Sequence, residues 1–212
     1  MKIKYVLIDI DGTLFPSLEF AKRARKAALE AMRKEGMHSD VSSAYKVLMN
    51  VVKEKGPNYA HHFEIMLGCL GEGHNARAVA AGVRAYHKVK ESIRPFPDVR
   101  RALGAMRKKG LGLYIASEGK AVKQWDKILR MGLQREFVGA FISEELGVKK
   151  SPLFYRKICR KLKCKASKVA MIGDRQEKDV EPARKIGMRA YLIDRKGRQG
   201  FGSLLEVARQ VE

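Results

Sequence analysis

Two aspartates, Asp9 and Asp11, stand two residues apart at the end of the nearly unbroken apolar run from Ile3 to Ile10. Such a run reads as a strand buried on both faces. An unpaired ionised carboxylate costs several kcal/mol in an apolar interior, or changes its protonation state. Acids at the mouth of a buried strand therefore need a partner, and a cation is the natural one. Strand side chains alternate, so Asp9 and Asp11 can point the same way. Gly12 permits a backbone geometry or a close approach that a Cβ would block. Further along, Ser117 closes the apolar run Leu111 to Ala116, and Gly173-Asp174 closes Val169 to Ile172, with Asp179 following. Ligands of open parallel sheets bind outside the C-terminal ends of the strands. If these three strands are neighbours, their polar ends converge on one spot.

The chemistry of that spot follows from its groups. Three acids, a hydroxyl and nearby lysine suit a hard divalent cation with oxygen ligands, most naturally magnesium keeping several waters. Magnesium bridging carboxylates and a phosphate dianion would ease the approach of an attacking carboxylate. One aspartate then acts as nucleophile towards phosphorus, and the other gives a proton to the leaving group and later activates water. A lysine balances charge in the transition state.

The elements that must position these groups alternate. Beyond Arg94-Pro95-Phe96-Pro97-Asp98, helices are expected at Val99 to Lys109, Lys120 to Met131, Pro152 to Leu162, Asp179 to Ile186 and Ser203 to Val211. Strands are expected at Leu111 to Ala116, Phe137 to Ile142, Val169 to Ile172 and Ala190 to Ile193. This alternation specifies an α/β class, a Rossmann-like parallel sheet with helices on both faces. Residues 16–94 hold no convincing strand. They read as four helices, the first with a stripe of Leu18, Ala21, Ala24, Ala28, Leu29 and Met32, the second capped by Ser39 or Asp40. The third is expected at Tyr59 to Leu70, and the fourth at Ala76 to Glu91 with Val79, Ala80 and Val83 inward. The domain expectation is residues 1–15 with 95–212 as the α/β core and 16–94 as an inserted all-helical module.

Composition bounds the function classes. No stretch approaches the ~18 consecutive apolar residues of a membrane span, and Asp9 and Asp11 interrupt the only candidate leader. Cys69, Cys159 and Cys164 form no CxxC pair, as expected of a reduced, cytoplasmic protein. The net charge of +21 suggests an anionic partner, although a solvated basic surface accounts for it equally well. His61, His62, Cys69 and His74 match no standard zinc spacing. The densest basic run, Arg156, Lys157, Arg160, Lys161, Lys163, Lys165 and Lys168, carries no RRM, KH or helix-turn-helix signature, so a nucleic-acid face is conceivable but not favoured.

Four motifs together give a resemblance. Asp9-Ile10-Asp11-Gly12-Thr13-Leu14-Phe15 resembles the first signature of the haloacid dehalogenase-like (HAD) hydrolases. Ser117 after its strand is similar to the second, a lysine at 149 or 150 to the third, and Gly173 to Asp179 to the fourth, a GDxxxxD pattern. The helical module sits where the family's type 1 cap goes, and a cap of that kind favours small substrates by excluding water and bulky chains.

The resemblance implies that Asp9 is the nucleophile and also a metal ligand. It implies that Asp11 is the general acid/base and a metal ligand through its carbonyl, that Asp174 is a metal ligand, and that Asp179 is an acid behind them. Thr13, Ser117, the amide of Glu118 and the lysine hold the phosphate. Family members often read Lys-Pro-x-Pro, and aligning Pro152 with the second proline selects Lys149. Dehalogenases of this superfamily lack the second acid because a halide leaves without a proton, so Asp11 favours phosphoryl chemistry. The expected activity is a magnesium-dependent phosphatase acting on a small phosphorylated metabolite or nucleotide. A phosphomutase and a basic nucleic-acid-binding protein with a secondary phosphatase site are the alternatives.

Overall fold

The computed structural model describes residues 2–211. The chain divides into two compact units: residues up to Ser17 together with those from Arg94 onward, and Leu18–Ile93.

In the first unit a parallel sheet contains, among the described residues, five strands: β1 (Tyr5–Ile8), β2 (Gly112–Ser117), β3 (Gly139–Ile142), β4 (Val169–Gly173) and β5 (Arg189–Leu192). Their order is β3-β2-β1-β4-β5. The strand carrying Asp9 therefore lies at the centre, between those carrying Ser117 and Gly173. Ile8 is in register with Ile115 on one side and Ile172 on the other. The Asp9 amide continues the ladder by donating to the Ile172 carbonyl at 2.9 Å. Every residue of β4 is buried, as expected of a strand covered on both faces. Leu7, Phe154, Tyr155, Ile158, Met171, Val180 and Ala183 form much of the core on one side.

The helices of this unit are α5 (Val99–Lys108), α6 (Ala121–Arg130), α7 (Ser143–Leu146), α8 (Pro152–Lys161), α9 (Glu181–Arg184) and α10 (Leu204–Gln210). The short α7 was not expected from the sequence. The helix expected from Asp179 begins instead as a π-helical turn, Gln176–Val180, and passes into α9. That turn moves Asp179 to the interior, where it is 0% exposed.

The second unit contains most of α1 (Ser17–Lys34), and α2 (Val41–Lys55), α3 (His62–Cys69) and α4 (Ala76–Lys90). Asp40 caps α2, accepting from the amides of Ser42 and Ser43. Leu29, Met32, Ala44, Leu48, Met66 and Ala78 form its core. The buried face of α4 is Ala78 and Gly82, not Ala80 and Val83, and Val83 is 41% exposed. Met32 lies so close to Gly82 that a Cβ there would approach its Cγ to 2.7 Å. Close packing on a glycine thus overrides the apolar pattern. Leu18, expected in the buried stripe of α1, is exposed. No helix among the described residues is long and apolar enough to cross a membrane.

Candidate active site

The central position of β1 sets the site. Asp9 follows the last residue of the strand and is 4% exposed. Asp11 lies on the turn beyond it, where the Gly12 amide donates to the Phe15 carbonyl at 3.1 Å and the Leu14 amide to that of Ile10 at 2.9 Å. Gly12 has φ +78°, and a Cβ there would collide with the carboxylate of Asp174. Glycine is required on both counts. Gly173 plays the same part for Asp179, whose carboxylate packs where a side chain at 173 would begin.

Of the two lysines, the structure brings Lys150, rather than the expected Lys149, to Asp9 and Asp179. The Lys150 ammonium donates to Asp9 Oδ1 and to Asp179 Oδ1, both at 2.5 Å, while Lys149 is exposed. Helix geometry explains the one-residue difference. Ser151 is the N-cap of α8, in extended conformation and accepting from the Phe154 amide, and Pro152 occupies the first turn. The residue just before the cap is the one turned inward. Its backbone is fixed as well, because the Lys150 amide donates to Glu118 Oε2 at 3.0 Å.

Asp179 is committed on both oxygens, to Lys150 and to the Arg175 amide at 3.1 Å. Asp174 is not. Its Oδ1 is buried and makes no hydrogen bond among the described residues. Asp9, Asp174 and Asp179 each bring an oxygen within 4.8 Å of the others. Burial pushes the Asp9 carboxyl up to about 7 despite the opposing pull of Lys150. It pushes Asp174 up to about 6, with Asp179 adding to the effect. A divalent cation beside these carboxylates would reverse both shifts. On Lys150 burial opposes the charge, but Asp9 and Asp179 outweigh it and the net shift is upward. An oxygen donor set with an orphaned carboxylate oxygen fits magnesium.

Asp9, Asp11, Ser117, Glu118, Lys150, Arg175 and Lys178 line one cavity. The β2 loop is tied to α7, with the Gly119 amide donating to Ser143 Oγ at 2.9 Å and the Ala121 amide to Glu144 Oε2 at 2.8 Å. The Glu118 carboxylate also accepts from Lys178 Nζ at 3.1 and 3.2 Å. Burial raises its pKa, yet Lys178 and the Lys150 amide together hold it below the ordinary value. Thr13 does not join the cavity. It is fully buried, its hydroxyl lacks a partner among the described residues, and its carbonyl accepts from Arg195 at 2.6 Å.

Sequence reasoning missed Lys127 and Gln124 of α6. Lys127 Nζ reaches both oxygens of Asp11, and Gln124 is buried beneath the β2 loop. The one available signal was Gln124 sharing a stripe with Ile128, a polar residue where an apolar one is usual. His61 pairs with Glu64, and His62 with the Gly56 carbonyl. Along the basic run of α8, Arg156, Arg160 and Lys161 are exposed.

Residues 3–187 match the family model of the haloacid dehalogenase-like hydrolases. The chain is 40% identical to the glyceraldehyde 3-phosphate phosphatase of Methanopyrus kandleri over 91% of its own length and 84% of that protein's. It is 34% identical to the glyceraldehyde 3-phosphate phosphatase of Methanocaldococcus jannaschii, over 88% and 82% of the two chains. Among solved structures, a haloacid dehalogenase-like family hydrolase from Xanthomonas campestris superimposes with a TM-score of 0.76 at 20% identity, covering 99% of this chain and 90% of that one. The chain belongs to the haloacid dehalogenase-like hydrolases.

Proposed function

We propose that this chain is a magnesium-dependent phosphatase that hydrolyses a small phosphomonoester through an aspartyl-phosphate on Asp9. The observation that carries the reading is Asp9 itself, a buried carboxylate at a central strand end, held by Lys150 and facing a cavity that it shares with Asp11 and Ser117. Glyceraldehyde 3-phosphate is the first substrate to test, because the relatives cited above carry that activity in their names. The unit Leu18–Ile93 is proposed to serve as the family's helical cap.

Asp9, the Asp11 carbonyl and Asp174 would hold magnesium. When bound, the ion offsets the charge of the phosphate dianion against an attacking carboxylate. An oxygen of Asp9 attacks phosphorus while the bond from phosphorus to the ester oxygen breaks. The departing oxygen keeps the electron pair and takes a proton from Asp11, giving the free alcohol. Water then attacks the aspartyl-phosphate, Asp11 accepts its proton, and the bond from phosphorus to Asp9 breaks to release inorganic phosphate. Lys150 balances the charge on the phosphoryl oxygens, kept in place by Asp179. Ser117 and the amide of Glu118 orient those oxygens.

The test is hydrolysis of 4-nitrophenyl phosphate and glyceraldehyde 3-phosphate with magnesium or EDTA, comparing wild type and Asp9→Asn. Magnesium-dependent turnover lost in the variant supports the reading. Turnover retained by pure Asp9→Asn protein contradicts it. Transfer of the phosphoryl group to a sugar hydroxyl rather than water would identify a mutase.

A further inference from the structure

We propose that Lys127 and Gln124 are positioning residues that aim the carboxylate of Asp11 at the leaving oxygen. This rests on the phosphatase reading above. Lys127 Nζ lies 2.8 and 2.6 Å from the two oxygens of Asp11 and 3.1 Å from Gln124 Oε1. Its side chain is 22% exposed and that of Asp11 38%, so water screens part of the pair, and what sets it apart from a surface ion pair is the buried amide that holds the ammonium. Gln124 is 4% exposed, and its Nε2 donates to the Glu118 carbonyl at 2.9 Å. The orientation of the amide is forced: an ammonium only donates and a carbonyl only accepts, so Oε1 must face Lys127 and Nε2 must face Glu118. Gly119 supplies the space. At φ +137° it turns the loop over Gln124, and a Cβ there would come within 2.6 Å of Nε2.

A continuous chain of hydrogen bonds therefore runs from the backbone of the loop after β2, through Gln124 and Lys127, to Asp11. Gln124 and Lys127 are three residues apart on one helix and so share a face. A lysine free to move would follow the carboxylate wherever it rotated. This one is held by a buried amide that is itself bonded to the phosphate-side loop. The direction of Asp11 is thereby tied to the position of the loop that holds the phosphate, so the acid and the bond it must protonate are set against one framework. The ammonium engages both oxygens of Asp11, and one of them must turn to the leaving oxygen as the ester bond breaks.

The role has a signature that a purely structural ion pair lacks. An alkoxide leaving group needs a proton from Asp11, whereas 4-nitrophenolate leaves without one. The quantity kcat/KM covers steps only through loss of the leaving group, so it isolates this dependence. The experiment measures kcat/KM for glyceraldehyde 3-phosphate and for 4-nitrophenyl phosphate in wild type, Asp11→Asn, Lys127→Met and Gln124→Met. General acid catalysis contributes ~100-fold or more, and loss of its aim costs part of that. The ratio of the alkyl to the aryl value is expected to fall about 10-fold or more in Lys127→Met, less in Gln124→Met, and most in Asp11→Asn. Lys127→Arg, which can still donate to both oxygens, is expected to recover most of the ratio.

Equal losses on the two esters in Lys127→Met, or no loss at all, would overturn the proposal. If Lys127→Met fails to fold, Lys127→Gln is read in the same way. A wild type that turns over neither ester overturns the phosphatase reading and this assignment with it. A wild type active on both, with an unchanged ratio in Lys127→Met, overturns this assignment alone.

Discussion

A Cβ on Gly12 and the carboxylate of Asp174 would occupy the same space. The turn that carries Asp11 and the strand end that carries Asp174 are thus in contact through a missing side chain. Gly12→Ala would also have to hold φ +78°, a left-handed conformation costing about 1–2 kcal/mol for a residue with a Cβ. Alanine here is expected to push Asp174 aside and weaken magnesium about 10–100-fold, the usual cost of disturbing a metal site's support. Magnesium titration of phosphatase activity measures it. An unchanged half-saturation would mean that Asp174 is not a ligand.

Asp174 offers a second check that requires no turnover. Its buried Oδ1 has no partner among the described residues, so a bound cation should stabilise the fold. Magnesium at 100 times its dissociation constant would add about 2.7 kcal/mol. Thermal unfolding with and without magnesium should show a clear rise for wild type and little or none for Asp174→Asn.

Lys149 and Lys150 should separate sharply. Lys150→Met leaves Asp9 and Asp179 buried without their shared cation, and breaking a buried pair in this way costs about 3–5 kcal/mol. Lys149→Met alters an exposed side chain and should stay within about 0.5 kcal/mol of wild type. Denaturant unfolding gives the stabilities, and hydrolysis of 4-nitrophenyl phosphate should be lost only in Lys150→Met. The reverse pattern would return the assignment to Lys149.

Glu72 makes a pH-dependent contribution in the helical unit. Its carboxylate accepts from the amides of His38 and Ser39, each at 2.7 Å. Burial is the largest single influence and raises its pKa, but the hydrogen bonds from Ser39 and His38 together outweigh it and hold the group below the ordinary value of 4.5. Because the folded state favours the ionised form, the stabilisation is full above the unfolded pKa and is lost as pH falls through the lower folded value. Glu72→Gln should cost about 1 kcal/mol at pH 7, and the gap to wild type should close under acid. A gap that stays constant down to pH 3 would count against the ionised carboxylate as its source.

The sequence by itself determined the chemistry and its order along the chain. Asp9, Asp11, Gly12, Asp174 and Asp179 are legible because each belongs to a short motif at the end of an apolar run, and a strand end is a local property. The parallel sheet was legible for the same reason, since its strands and helices alternate in composition. Facts that depend on facing were left to the tertiary structure. Whether Lys149 or Lys150 enters the site is decided by where α8 is capped, and a one-residue difference in register turns a side chain from solvent to interior. Thr13 sits inside a motif, yet its neighbours bury it away from the cavity. Lys127 meets Asp11 across 116 residues of chain. That meeting exists only because the strand order β2-β1-β4 lays the helix after Ser117 beside the turn after Asp9. The same dependence hid the role of Gln124. A polar residue on a buried stripe is no signal until the carbonyl and the ammonium it serves have been brought to it.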